Sequence, residues 1–340
     1  MINYNYKDIN TINFNVSIDE CFSELRPHPK FKNCTFDNYH DDAAYSSQAA
    51  LKELLRSISN KEKPKKKRSF FSKKQKENKI AKNIYIDGTY GIGKTHLLSA
   101  CFHNFKGSKA FMSFLELTYF MNFSGLEKTI EFFKPVDLLL IDEFDLDDPA
   151  TTRMAARFID SINNDTTIIT TSNRLPKELG GGKFDTTQFA RELGIISNTF
   201  DTVTVEGKSF RINLAAWQAV FSNKSFNEVL ETYEPKRDKV LVDFDELMIK
   251  LQDNHPFKFF VIPKTFDAVF INNFKPFTKL NDALRFTIFI DHCYYHDTKL
   301  FFNTQLKKSI FPKELMETSF ERQFLRCNSR LDELGLFFKD

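Results

Sequence analysis

Residues 83–95 read NIYIDGTYGIGKT. A short β-type run ends in glycine, a glycine-rich loop follows, and a helix-type run, THLLSACFHNF, begins at the last residue quoted. The loop, residues 88–95, satisfies the pattern G-x-x-x-x-G-K-[ST] between a strand and a helix. This order predicts an α/β fold in which the loop wraps the phosphates of a nucleotide.

The residue types of the loop each have a chemical reason. Glycines let the backbone curl so that N–H groups face a phosphate, and the following helix adds the positive end of its dipole. Lys94 is expected to reach the β- and γ-phosphates, and the hydroxyl of Thr95 to bind Mg²⁺. The predicted cofactors are ATP and Mg²⁺. The residues predicted to bind the nucleotide are Gly88, Thr89, Tyr90, Gly91, Ile92, Gly93, Lys94 and Thr95.

A second, acid-tipped strand follows at residues 136–143, which read VDLLLIDE. In a parallel sheet its carboxyl end should open on the same edge as the glycine loop. Asp142 is then expected to hold Mg²⁺ through water, and Glu143 to polarise the attacking water as the catalytic base. The acids at positions 145, 147 and 148 are expected to cap the helix that Pro149 starts.

A third strand is predicted at residues 166–173, which read TTIITTSN. Its β-branched residues favour a buried strand, and the polar Asn173 stands at its end. An amide in this place could orient the attacking water, or it could end the strand in a turn. The residues alone leave both interpretations open.

Composition indicates a folded protein, because 41% of the 340 residues are hydrophobic and 27% are charged. Two packed units are expected at this length. The 39 phenylalanines are interpreted as core residues. Cysteines without CxxC spacing, no signal-like amino terminus and no long apolar run predict a soluble, cytoplasmic protein.

The charge is unevenly distributed. Residues 61–82 contain eleven Lys or Arg against two Glu, a local net charge of +9, so the rest of the chain carries −6 of the total of +3. The segment lacks apolar periodicity and is interpreted as a flexible, solvated insertion. The alternative is an electrostatic arm that binds nucleic acid or an anionic membrane.

Four regions are therefore predicted. An N-terminal segment, 1–60, packs on the core; the basic insertion spans 61–82; the nucleotide-binding core spans 83–210; and a lid or appended region spans 211–340. The last region shows helix-type runs, such as FNEVLETY, and β-type runs, such as KLFF at 299–302. It is expected to be mixed α/β or helical, and periodicity does not decide whether its strands extend the core sheet.

The order of these elements resembles the AAA+ branch of P-loop ATPases. The segments GTYGIGKTHLL, LLLIDEFDLDDP, TTSNRLPKELGGGKF and ERQFLRCNSRLDELG resemble the ZapE family of bacterial cell-division ATPases, which has mitochondrial relatives. The likeness runs from about Pro27 to Gly335, and the basic insertion departs from it. It implies ATP hydrolysis coupled to remodelling or positioning of a partner protein, at the septum in bacteria. It also matches Asn173 to the family's sensor position.

The resemblance further implies an oligomer in which a neighbouring subunit supplies an arginine to the site. Arg191, within the helix-type run 186–198, is the first candidate, and positions 174 and 211 hold weaker ones. A second sensor could be Arg285, Arg326 or Arg330, and each arginine could equally be a surface residue. At the adenine end the resemblance points to Phe36, Tyr39 and Gln48.

Histidines 292 and 296, four apart beside Asp291, raise a metal site as an alternative to ordinary core histidines.

Three functional classes remain compatible with the sequence. The first is a homo-oligomeric ATPase that acts on a protein client, such as a component of the division machinery, and is recruited to the septum or the inner membrane face. The second is an ATPase that loads or remodels a nucleic-acid machine. The third is a slow, nucleotide-gated adaptor, which the intact acidic pair disfavours.

Overall fold

The computed structural model describes residues 6–61, 81–89, 91–146, 149–172, 189–207, 221–306, 309–318 and 320–339. The chain divides into two compact units. One contains residues 22–27 and 31–212, and the other contains residues 1–21, 28–30 and 213–340. Tyr90, Asn173, Arg174, Arg211 and the acids at 147 and 148 lie outside the described residues, as does most of the basic insertion.

The first unit is built on a parallel sheet. Its strands are β1 (Ile84–Gly88), β2 (Lys109–Ser113), β3 (Leu138–Asp142), β4 (Thr167–Ser172) and β5 (Asp201–Val205). They pair in the order β2-β3-β4-β1-β5, and every pairing is parallel. β1, β3 and β4 therefore end on one edge of the sheet, which brings the ends of three separate sequence segments together.

Helices accompany this sheet along the chain. They are α2 (Ser46–Ser59), α3 (Lys94–Asn104), α4 (Phe114–Ser124), α5 (Leu126–Phe133), α6 (Pro149–Ile162) and α7 (Ala190–Thr199), while α1 (Ile18–Ser23) lies where the chain passes from one unit to the other. α6 begins at Pro149, which confirms the predicted helix start. α4 begins with a capping box in which Ser113 and Glu116 satisfy each other's backbone N–H groups.

The core of this unit lies between the sheet and its helices. Every residue of β3 and β4 is buried, as expected for strands of a parallel sheet covered on both faces. Leu51, Leu55 and Ile58 of α2 recur at helical spacing and are buried against the same cluster as Ile86 of β1. Each such side chain contributes roughly 1.5–3 kcal/mol through the apolar surface it removes from water.

The second unit has a parallel sheet of its own. Its strands are β6 (Asp238–Asp243), β7 (Phe266–Phe274), β8 (Lys299–Thr304) and β9 (Gly335–Phe338), paired in that order. Its helices are α8 (Phe226–Thr232), α9 (Phe244–Asp253), α10 (Val261–Thr265), α11 (Leu280–Tyr295), α12 (Lys313–Met316) and α13 (Glu321–Leu334). These strands do not extend the sheet of the first unit, because they pair only with one another in a second, four-stranded sheet.

Phenylalanines fill the second unit. Phe270 of β7 and Phe301 of β8 are paired in register, and their rings stack with centroids 4.2 Å apart. Phe302 and Phe337 repeat this contact between β8 and β9 at 4.8 Å. All four are buried, which confirms their interpretation as core residues. No helix in the described part of the chain has the length and apolar character of a membrane span.

Candidate active site

The glycine loop adopts the curled backbone that its sequence predicts. Gly91 and Gly93 have φ of 78° and 86°, in the left-handed region that glycine enters without steric cost. Gly88 is required for a different reason, since a Cβ there would lie 2.5 Å from the carbonyl oxygen of Val205 in the neighbouring strand. β5 therefore passes too close for any side chain at this position.

Lys94 is the first residue of α3. Its ammonium donates hydrogen bonds to the carbonyl oxygens of Gly88, at 2.6 Å, and of Thr89, at 2.8 Å. The two carbonyl groups thus hold the positive charge of Lys94 across the loop. The helix N-cap is Gly93, which has no side chain to cap the first-turn N–H groups, and a helix end of this kind favours an anion.

Thr95 and Asp142 meet at the sheet edge. The Thr95 hydroxyl donates a hydrogen bond of 2.7 Å to Oδ2 of Asp142, and the Thr171 hydroxyl donates to Oδ1 of the same carboxylate. Asp142 is only 8% exposed. Burial, with a smaller contribution from the charge of Glu143, raises the pKa of Asp142, against the lowering effect of the two hydroxyls.

These residues fit a magnesium ion. A threonine hydroxyl and a buried carboxylate are hard oxygen ligands, and Mg²⁺ is typically held by one or two such protein groups together with substrate phosphates and water. A nearby cation would also offset the cost of burying the Asp142 carboxylate. By contrast, the described residues contain no group of three acidic, histidine or cysteine side chains that could hold a metal.

Glu143 has an unusual backbone. Its φ of 54° is left-handed, a conformation that costs a non-glycine residue roughly 1–3 kcal/mol and clusters at functional sites. Two hydrogen bonds to Thr171 brace it: the Glu143 N–H donates to the Thr171 hydroxyl at 3.1 Å, and the Phe144 N–H donates to the Thr171 carbonyl at 2.7 Å. The half-buried Glu143 is therefore turned and fixed at the end of β3.

Sequence reasoning missed Thr171. This residue of β4 is 1% exposed and contacts Asp142, Glu143 and Phe144 at once. The available signal was its place in TTIITTSN, two positions before Asn173 on the strand next to the acidic one. A run of β-branched residues indicates a buried strand, and this general interpretation concealed the hydroxyl's specific role.

The candidates for the adenine end have other contacts. Tyr39 donates its hydroxyl to the carbonyl of Ile92 at 2.9 Å. Gln48 donates to the carbonyl of Glu206 at 3.0 Å, and its side-chain oxygen accepts from the Asp42 N–H at 2.9 Å. All three candidates, Phe36 included, are buried. The polar groups of Tyr39 and Gln48 are therefore bonded within the protein, and a contact of these residues with the base stays a prediction.

The arginine candidates differ in their exposure and in their ion-pair partners. Arg191 lies exposed in the first turn of α7. In the second unit, Arg326 of α13 forms a 2.9 Å ion pair with Asp291 of α11, and Arg330 pairs with the same carboxylate. That ion pair occupies both arginines and also removes Asp291 from any metal site with His292. Arg285 is half-buried on α11.

A parallel sheet with a G-x-x-x-x-G-K-T loop after β1 and an acid-tipped β3 defines a P-loop nucleoside triphosphatase. The chain matches the model of the AFG1-like ATPase family over residues 32–234 and 232–336, and it belongs to this family. It is therefore an ATPase, a P-loop hydrolase. The predicted α/β fold and the predicted enzyme class are confirmed.

Other comparisons add little. No curated protein matches the chain by sequence. Solved structures that are similar to the chain match about half of it, and DnaI and the DnaC helicase loader are two of them. The crystal structure of DnaI has 17% identity and a TM-score of 0.41, covering 54% of this chain and 93% of DnaI. The DnaC helicase loader has 18% identity and a TM-score of 0.34, covering 52% and 99%. Likenesses at this level carry no functional argument.

Proposed function

We propose that this ATPase couples Mg²⁺-dependent ATP hydrolysis to remodelling or positioning of a partner protein in cell division. The observation that carries the hydrolytic part is the 2.7 Å contact between Thr95 and Asp142, because it joins the phosphate-binding loop to the acid-tipped strand. The cell-division part rests on the resemblance to the ZapE family. That resemblance also supports a homo-oligomer in the cytoplasm, recruited to the septum or inner membrane face.

The roles of the side chains follow from their chemistry. Lys94 binds the β- and γ-phosphates, and the loop amides orient them. Mg²⁺, when bound, would be held by Thr95 and, through water, by Asp142, and would neutralise phosphate charge. Glu143 accepts a hydrogen bond from the attacking water, which orients it, and takes its proton as the water oxygen attacks the γ-phosphate. Asn173 holds the same water, and Arg191 of a neighbouring subunit stabilises the transferred phosphoryl group.

Two variants test the hydrolytic proposal. Lys94→Ala is expected to abolish ATP binding, because the phosphate charge loses its partner. Glu143→Gln is expected to bind ATP normally and to lose hydrolysis, since an amide cannot accept the proton. Binding is measured by calorimetry and turnover by phosphate release. Wild-type turnover in Glu143→Gln would refute the assigned base.

The partner proposal needs a separate experiment. A purified division protein should bind the ATP-loaded Glu143→Gln variant more tightly than the nucleotide-free protein. Coupling of hydrolysis to the partner requires the partner to have different affinities for the two nucleotide states. Lys94→Ala is the matched control, since it should not respond to ATP. Equal binding with and without ATP for every division protein tested would contradict the proposed coupling.

A second candidate function is the loading or remodelling of a nucleic-acid machine. It is favoured by one observation, the net charge of +9 on residues 61–82. β1 begins at Ile84 on the sheet edge opposite the phosphate loop, so deletion of residues 62–80 should leave the nucleotide site intact. Salt-sensitive DNA binding that disappears on this deletion, with ATP hydrolysis retained, would favour the second function. Unchanged or undetectable DNA binding would contradict it.

A further inference from the structure

Tyr39 reaches the phosphate loop from a segment far from it in sequence. Its hydroxyl donates a 2.9 Å hydrogen bond to the carbonyl oxygen of Ile92, the residue before Gly93. The side chain is 7% exposed and belongs to the cluster that contains Ile92 and Leu97. Burial, with a smaller effect of Asp41, raises the pKa of Tyr39, so the phenol remains a proton donor at neutral pH.

The ring of Tyr39 also occupies the space beside Gly93. A Cβ on Gly93 would lie 2.6 Å from Cε2 of the ring, which is closer than carbon atoms approach in proteins. The ring therefore supports the left-handed Gly93 backbone from one side. A second contact fixes the same segment to α3, since Nε2 of His96 lies 3.0 Å from the Thr35 carbonyl oxygen.

This hydrogen bond determines the direction of a backbone amide. The peptide between Ile92 and Gly93 is trans, so its C=O and N–H groups point in opposite directions. Holding the Ile92 carbonyl towards Tyr39 therefore holds the Gly93 N–H away from it. Backbone N–H groups of the loop are the donors that this motif presents to phosphate.

We propose that Tyr39 is a positioning residue that presets the Gly93 amide for phosphate binding, and is not a contact of the adenine base. The inference rests on the proposed assignment of the loop as the ATP site. It extends that assignment to a residue in the segment before α2, outside the sequence motif. Pre-set donors bind more tightly because they lose less conformational freedom when the ligand arrives.

The test compares two tyrosine-to-phenylalanine variants. Tyr39→Phe keeps the ring and removes the hydrogen bond. Tyr45→Phe is the matched control, because the Tyr45 hydroxyl, in the same segment, makes no hydrogen bond among the described residues. Calorimetry measures the binding of ATP and of inorganic tripolyphosphate, which has no base, and steady-state kinetics separates KM from kcat. Thermal melts establish that both variants are folded.

For Tyr39→Phe the affinities for ATP and tripolyphosphate should fall together by about threefold to tenfold, as expected for one lost hydrogen bond. KM for ATP should rise by a similar factor while kcat stays unchanged, and Tyr45→Phe should match the wild type. A loss for ATP without a loss for tripolyphosphate would make Tyr39 a base contact, and unchanged affinities or an equal loss in Tyr45→Phe would also overturn the proposal.

The Lys94→Ala variant distinguishes a wrong role for Tyr39 from a wrong assignment of the loop as the ATP site. If Lys94→Ala still binds ATP, the loop is not the ATP site and both proposals fall. If Lys94→Ala loses ATP while Tyr39→Phe behaves as wild type, only the role of Tyr39 is refuted.

Discussion

The hydroxyl of Thr95 and the carboxylate of Asp142 are 2.7 Å apart, although the two residues are 47 positions apart in sequence. One is in the first turn of α3 and the other is the last residue of β3. The parallel order of the sheet brings these ends to one edge. The position of the Asp142 carboxylate therefore depends on the hydroxyls that donate to it. Substitution of residues that support the site without binding ATP, such as Thr171, can test this arrangement.

Thr171→Val should impair the site. Valine keeps the shape of threonine and removes the hydroxyl that bonds both Asp142 and the Glu143 N–H. The free energy of unfolding should fall by about 1–3 kcal/mol, because buried polar groups lose a partner. Misplacement of the acidic pair should lower kcat by roughly 10- to 100-fold. Chemical denaturation and phosphate release measure the two effects.

Thr170→Val is the matched control for this prediction. Thr170 is the preceding residue of the same strand, fully buried, and its hydroxyl has no hydrogen-bond partner among the described residues. Replacing an unsatisfied hydroxyl by a methyl group should be neutral or stabilising, with kcat unchanged. If both variants lost activity equally, general strand packing and not the Thr171 hydroxyl would be responsible.

Gly207→Ala should distort the phosphate loop by displacing the side chain of Ile92. A Cβ at Gly207 would lie 2.5 Å from Nε2 of Gln48 and 2.6 Å from Cγ2 of Ile92, and both side chains are buried. The Gly207 carbonyl also accepts the Thr89 hydroxyl at 3.0 Å. Overpacking of this kind costs about 1–3 kcal/mol, and ATP affinity should fall with it.

Gly194→Ala is the control for that substitution. A Cβ at Gly194, within α7, meets nothing within 4 Å. Alanine in a helix interior is favoured over glycine by about 0.5–1 kcal/mol, so this variant should be slightly more stable and fully able to bind ATP. Thermal melts with and without ATP compare the two. Equal behaviour of the two variants would contradict the close packing behind the loop.

Asp142→Asn should stabilise the nucleotide-free protein while abolishing hydrolysis. Because the folded-state pKa of Asp142 is raised, the carboxylate's ionised form at neutral pH opposes folding. The amide removes that charge, its oxygen accepts from one of the two hydroxyls, and its NH2 group donates to the other, so the free energy of unfolding should rise by about 1 kcal/mol.

The pH dependence of the stability difference between the wild type and Asp142→Asn provides the control. A raised pKa means that the stability the group contributes is complete below its unfolded pKa and is lost as pH rises through the folded pKa. The wild type and Asp142→Asn should therefore converge in stability as pH falls and diverge towards neutral pH. Denaturation at several pH values, without ATP, measures this. A difference that grows on acidification would contradict the buried, ionised carboxylate.

The sequence predicts the site better where the chemistry is local. GTYGIGKT and LLLIDE carry their roles in adjacent residues, and the strands and helix around them lie where periodicity placed them. The bracing by Thr171 depends on strand order, which a single sequence does not contain. The same is true of Tyr39, whose contact with the loop comes from tertiary packing, and of Arg326 and Arg330, whose shared partner lies on another helix.

Arg191 is the residue through which an oligomer can be tested. It is exposed in the first turn of α7 and forms no ion pair or hydrogen bond among the described residues, so its charge is available to a neighbouring subunit. If Arg191 completes the site in trans, specific ATPase activity should rise with protein concentration in the wild type. Arg191→Ala should lower kcat by about 10³-fold or more while ATP binding stays unchanged, because the arginine stabilises only the transition state.

Mixing the two proteins distinguishes a trans arginine from a cis one. Arg191→Ala subunits added to wild type should reduce activity per wild-type subunit, since some wild-type sites would then face a neighbour without the arginine. Arg153→Ala is a suitable control, because Arg153 lies over the Phe189 ring, 4.9 Å from its centroid, within the same unit. Mixing that leaves wild-type activity unchanged, together with a fully active Arg191→Ala, would mean that Arg191 is an ordinary surface residue and that the transition-state charge is met by another group.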